Sequence, residues 1–252
     1  MIIAAVCSLV IPIIILVYLR KKGADLLPFF IGCAVFLVFA GLAESFVHTV
    51  ILQWSPIGAT IMNNTSIYAL YGGLMAGLFE ETGRFVAFKT VTRRYMDKNI
   101  NSLMYGAGHG GCEAVMVLGV TMIGNIVMAS MINAGVYDSL FATLSPESAE
   151  ALKSQIDLLI ATPAPMFLVG IYERILAIAI HMSLSVLVWF SVRNGRKALF
   201  PLAILLHAIV DFTVVVVSKS GVPAPALVAE AVTTVFVVLL IIIARRVWQK
   251  NQ

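Results

Sequence analysis

The 252 residues are 60% hydrophobic and 12% charged, with a mean hydropathy of +0.98. Soluble domains carry about 25% charged residues, so half that share with long apolar runs excludes a soluble globular domain and implies an integral membrane protein. The net charge of +4 does not imply a nucleic-acid partner, because the basic residues cluster in short loops between apolar runs, where a topology signal belongs.

Seven apolar stretches follow. Span one, Ile2–Leu19, has Arg20-Lys21-Lys22 behind it and no basic residue ahead, the reverse of a cleaved signal peptide. It is expected to be a retained span with its N-terminus outside. Span two, Leu26–Leu52, holds Glu44 and His48 one turn apart, either a structural pair or the edge of a site. Trp54 and Pro56 after it mark an outer interface. Span three, Ser66–Thr90, carries Glu80, Glu81 and Arg84. Each such side chain costs roughly 2.5–3.5 kcal/mol at the bilayer centre on insertion scales, so three together need partners or a use. Gly73-x-x-x-Gly77, just above, is a spacing that lets another helix backbone come close.

Span four runs from Asn101 to about Ile132, longer than the roughly 20 residues a bilayer needs. Its Gly106-Ala107-Gly108-His109-Gly110-Gly111 run is expected to weaken or kink the helix, glycine being a poor helix former, and to let a neighbouring backbone or a substrate come near. In the following connection, Ser145-Pro146-Glu147 reads as a helix start. Leu152, Ile156 and Leu159 then recur on one face, predicting a short amphipathic helix on the outer surface, as an interfacial helix rather than a lid. Span five, Met166–Val192, holds Glu173, Arg174 and His181. Span six, Leu199–Val217, holds His207 and Asp211. Span seven is Ala226–Ile243.

Residues 1–252 thus read as one integral-membrane domain: all-α, a polytopic bundle of about seven spans, N-terminus outside and C-terminus cytoplasmic. Of the 17 Lys and Arg, this layout leaves only Lys153 and Lys219 outside and only Arg84 and Arg174 in span interiors, Lys89 standing at the cytoplasmic end of span three with the basic loop. That asymmetry is the positive-inside pattern. The three cysteines, Cys7, Cys33 and Cys112, lie in apolar runs and suggest no disulfide framework.

The polar residues of spans three to six fall at similar depth, in the cytoplasmic half or near the midplane, which favours a cytoplasmic or lateral opening. Positions four apart share a helix face, pairing Glu80 with Arg84, His109 with Glu113, and His207 with Asp211. All four histidines of the protein lie in spans. Any one pair is as readily a structural tie between helices as a functional group; the convergence of all of them favours function. Glu230 is expected near the outer interface, away from the site. A carboxylate in apolar surroundings suits a general base that activates water, and histidine with Asp211 suits orientation of water or stabilisation of an oxyanion. No His-Glu-x-x-His motif is present, although His109, His181 and His207 with a Glu offer ligands for zinc.

The ordered motifs Glu80-Glu81-x-x-Arg84, Tyr105-x-x-x-His109, His109-x-x-x-Glu113, Arg174 followed by His181, and His207-x-x-x-Asp211 resemble those of the glutamic-type intramembrane proteases. These include the CAAX-prenyl endopeptidases (the CPBP or Abi group) and the PrsW anti-sigma-factor proteases. The Gly108-His109-Gly110-Gly111-Cys112-Glu113-Ala114 stretch is most similar to the YhfC-type membrane peptidases of bacteria. The resemblance covers roughly Gly72 to Phe212. It implies that Glu80 or Glu81 activates water, that His109, Glu113, Arg174 and His181 belong to the site, and that His207 and Asp211 help form an oxyanion site. Arg84 stands where the PrsW group has a Lys and one residue short of the CAAX group's Arg. The implied activity is hydrolysis of a peptide bond in or near the membrane, with no cofactor. The implied setting is a multi-pass protein of the bacterial plasma membrane acting on a peptide or membrane-protein substrate. The competing readings are an ion- or proton-coupled carrier, a zinc-dependent membrane hydrolase, and a non-catalytic relative. A carrier usually shows an internal repeat with a second broken helix, and none is evident.

Overall fold

The computed structural model describes residues 1–136, 141 and 144–251. Among them all regular structure is helical. The main helices are α1 (Ile2–Lys21), α2 (Leu27–Trp54), the short α3 (Gly58–Met62), α4 (Thr65–Lys89), α5 (Ile100–Asn133), α6 (Pro146–Ala161), α7 (Met166–Arg193), α8 (Leu199–Ser218) and α9 (Pro225–Gln249). Six of them, α1, α2, α5, α7, α8 and α9, are long and apolar enough to cross a membrane. The remaining long helix, α4, has 25 residues and so sufficient length. Glu80, Glu81 and Arg84 lower its hydropathy and set it apart from the six.

Helix α7 is the centre of the bundle. Of its most apolar 18 residues 72% are buried, against 17–22% for the other five apolar helices. Lipid tails are as apolar as leucine, so helices in a bilayer gain little from the hydrophobic effect and associate through close backbone approach and hydrogen bonds. Both devices are present. A Cβ on Gly73 would lie 2.4 Å from the Ala208 carbonyl oxygen, and one on Gly77 would lie 2.7 Å from that of Ile204, so α4 packs directly on the backbone of α8.

The Gly106–Gly111 run does not break α5, contrary to expectation. It is helical throughout, and the irregularity falls further on, in a π turn at Val115–Gly119. The glycines do admit neighbouring backbone, as expected, and on opposite sides. A Cβ on Gly108 would collide with the Phe29 backbone of α2, and one on Gly106 with Met182 Cα of α7. Tertiary packing overrides the poor helix propensity, which amounts to only about 1 kcal/mol per glycine.

Where α4 and α7 end, Phe88, Tyr105 and Trp189 are fully buried. Phe88 packs edge-on against Tyr105 and Trp189 at ring-centroid distances of 4.7 and 5.1 Å. The α1–α2 turn is fastened beside this core. Asp25 accepts from Lys98 Nζ at 2.8 Å and Asn101 Nδ2 at 2.9 Å, while its own N–H donates to Asn101 Oδ1 at 2.7 Å. Lys98 and Asn101 together hold the Asp25 carboxyl below its usual range. The expected amphipathic helix is α6: Ser145 Oγ accepts from the Ser148 N–H at 3.3 Å, and Leu152, Ile156 and Leu159 form its covered face.

Candidate active site

Adjacent residues on a helix point about 100° apart, so the paired glutamates of α4 face different neighbours. Glu81 is fully buried, and both of its oxygens accept from Arg84. His207 Nδ1 of α8 lies 2.9 Å from Glu81 Oε1. Glu80 faces α5 and α7 instead. Its Oε2 is 2.8 Å from His109 Nε2 and 3.8 Å from His181 Nδ1.

The tautomer of His181 follows from its partners. Arg84 Nη2 lies 3.1 Å from Nδ1, and a guanidinium only donates, so Nδ1 is the acceptor. Nε2 therefore carries the hydrogen, and it lies 2.6 Å from Glu113 Oε2. Glu113 in turn accepts from Arg174 at 2.7 Å, and Arg174 also donates to Glu173. The chain Arg174–Glu113–His181 leaves the Nδ1 lone pair directed at Glu80 and Arg84. A carboxylate on the far ring nitrogen is how a metal-binding histidine is normally oriented.

These groups border a cavity of about 130 Å³ between α4, α5, α7, α8 and α9. Glu80, Glu113, Arg174, His181, His207 and Asp211 line it. The ionisable residues singled out in spans three to six therefore lie in or directly behind one site, but the pairings differ from those that helical spacing suggested. Arg84 pairs with Glu81 three residues away, not with Glu80. His109 pairs with Glu80 across helices, not with Glu113. Of these three pairs only His207–Asp211 is kept, with Nε2 3.5 Å from Asp211 Oδ2. Glu44 and His48 stay together at 3.1 Å, with His48 also 2.9 Å from the Tyr71 hydroxyl, and neither lines the cavity. Glu173, noted beside Arg174 in span five, lines it as well, and so do Glu230 and Thr233, which were not expected to. Glu230 is the one carboxylate of α9, and an acid in an otherwise apolar span was the signal that could have found it.

The possible metal donors also differ from the expected set. Glu80, His109 and His181 each offer one ligand atom, all within 4.8 Å of one another. His207 stands apart, with both ring nitrogens turned to carboxylates. One oxygen and two imidazole nitrogens suit zinc or a similar divalent ion, and the Glu113–His181 contact supplies the supporting shell. The residues present fit such an ion, with Arg84 as the group that shares the His181 lone pair.

The profile of a family described as YhfC intramembrane metalloprotease matches residues 7–233. The chain belongs to that family. It is 35% identical over 246 residues to the membrane protein YhfC of Bacillus subtilis (strain 168), an alignment covering 96% of this chain and 94% of that protein. No solved structure matches. Membership bears out the resemblance to YhfC-type proteins and the membrane character of the chain. The family description names a metalloprotease, whereas the CAAX and PrsW resemblance implied metal-free chemistry.

Proposed function

We propose that this protein is an intramembrane peptidase in which Glu80, His109 and His181 hold a divalent metal ion. The observation that carries the reading is the convergence of these three donors, from three helices, beside a polar cavity that Glu80 and His181 line inside an apolar bundle. A metal bound there would supply Lewis-acid polarisation and a nucleophilic water at neutral pH. The chain's own residues do the rest. Glu113, held by Arg174, fixes the ring of His181. Arg84 neutralises Glu81, and Glu81 aims His207 across the cavity. The 3.5 Å contact from His207 Nε2 to Asp211 is loose enough to be exchanged for a substrate carbonyl oxygen, which makes His207 the oxyanion donor. Asp211, facing the cavity, accepts a proton from water and returns it to the leaving amine. The substrate is a peptide or membrane-protein segment, and the setting is the bacterial plasma membrane with the C-terminus cytoplasmic, supported by the placement of Lys and Arg.

One observation favours a second reading, the metal-free glutamate chemistry of the CAAX and PrsW groups. Arg84 already fills the His181 lone pair, and Glu80 and His109 already satisfy each other. There Glu80 is the base rather than Glu81, whose oxygens are both taken. The two readings separate in one experiment. Purified protein and the Glu80→Gln, His109→Ala and His181→Ala variants are assayed for bound metal by elemental analysis, and for cleavage of a pool of membrane-protein segments with and without chelator. Stoichiometric metal lost in all three variants, with chelator-sensitive cleavage, supports the metallopeptidase. Cleavage that survives chelation in metal-free protein and vanishes in Glu80→Gln supports the glutamate base. No cleavage by loaded wild-type protein overturns both.

A further inference from the structure

The cavity is closed at one end and open at the other, and the charge pattern says which end is which. We infer that substrate reaches Glu80, His109 and His181 from the non-cytoplasmic side, so that the bond cut lies in the outer half of the membrane or in an extracytoplasmic segment beside it. This rests on the peptidase reading for its chemistry, but not for its geometry.

Three observations carry it. The first is a gradient of side-chain exposure. It rises from Glu81 at 0% through Glu80 at 10% and Glu113 at 17% to Asp211 at 38% and Glu173 at 45%. The second is where the exposed members sit. Glu173 lies seven residues from the start of α7 and Glu230 five from the start of α9, and at 1.5 Å per residue both are within about 11 Å of those ends. Arg193, Arg196, Lys197, Arg245 and Arg246 gather around the opposite ends, which the positive-inside pattern assigns to the cytoplasm. The third is the closed side. Between the cluster and those basic loops, Phe88, Tyr105, Leu184, Leu187 and Trp189 are completely buried. This reverses the cytoplasmic or lateral opening favoured by motif depth. Depth along each helix places the groups at a common level but does not say on which side the helices part.

The test needs no proteolysis, so its failure is distinct from failure of the peptidase reading. Single cysteines are placed at Glu230 and Thr233 on the cavity wall, at Leu187 in the closed end, and at Lys219 and Lys98 as loop markers, in a chain with Cys7, Cys33 and Cys112 changed to alanine. A small, charged, membrane-impermeant methanethiosulfonate is added to intact cells and, separately, to inverted vesicles. The inference expects Glu230→Cys, Thr233→Cys and Lys219→Cys to react in cells only, Lys98→Cys in inverted vesicles only, and Leu187→Cys in neither. Reaction of both wall positions in inverted vesicles alone, or of neither position from either side, overturns it. So does reaction of Lys219→Cys only in inverted vesicles, because the orientation is then reversed, and so does ready labelling of Leu187→Cys from the cytoplasmic face.

Discussion

At one end of the bundle Phe88, Tyr105 and Trp189 meet edge to face with no exposed surface. One to two turns further along the same three helices, Glu80 lies 2.8 Å from His109 and 3.8 Å from His181, beside a cavity that Glu80 and His181 line. The first group holds by shape and dispersion, the second by charge-assisted hydrogen bonds among groups that are costly to bury alone. A rigid apolar layer directly behind a polar one supplies a floor that does not yield when the polar groups change partners. The aromatic layer should therefore carry stability, and the polar layer activity.

Exchanging the cavity-facing carboxylate tests that division most strongly. Glu80→Gln keeps the shape and a hydrogen-bonding group towards His109, yet should lower peptidase activity by the roughly 10²–10⁴-fold of a positioned acid–base group, or more where it also loses the metal. Unfolding in detergent should be little altered; a large loss of stability would mean that the cluster is structural. Trp189→Ala sharpens the other side. Removing a fully buried tryptophan should cost about 3–5 kcal/mol in a denaturation series, while the protein that remains folded keeps its specific activity. Glu113→Gln comes next. It loosens His181 without removing a donor of the cluster, and should weaken metal affinity by about 10–100-fold, read by competition with a graded chelator. The smallest effect belongs to Asp25→Asn, outside both layers. Exposed ion pairs contribute about 0–1 kcal/mol, and the Asp25 carboxyl is held below its usual range by Lys98 and Asn101. Its contribution is therefore present above the ordinary carboxylate pKa and lost as pH falls through the lowered one. Thermal stability of wild type and Asp25→Asn should accordingly converge in acid.

The all-helical membrane class, the positions of the long apolar helices, the α6 cap at Ser145 and most of the polar residues that meet at the cavity were legible along the chain. Composition and apolar run length report transfer into lipid directly, and a charge in an apolar run marks itself. The Gly73 and Gly77 spacing announced close backbone contact, and α8 provides it. For Gly106–Gly111 the close approach of neighbouring backbone was legible but the unbroken helix was not, because propensity is a local quantity and the helices that press on both sides of α5 are not local.

What the sequence determined by itself was which groups are buried at a cost. What only the tertiary structure decided was who partners whom: Arg84 with Glu81, His109 with Glu80, Glu113 with His181. It also decided that Glu80 alone of the pair faces the cavity and that Glu230 joins it. Spacing along one helix fixes which residues share a face, but a charge in a bilayer pairs with whatever the neighbouring helix presents, and that depends on rotation and packing no single helix contains.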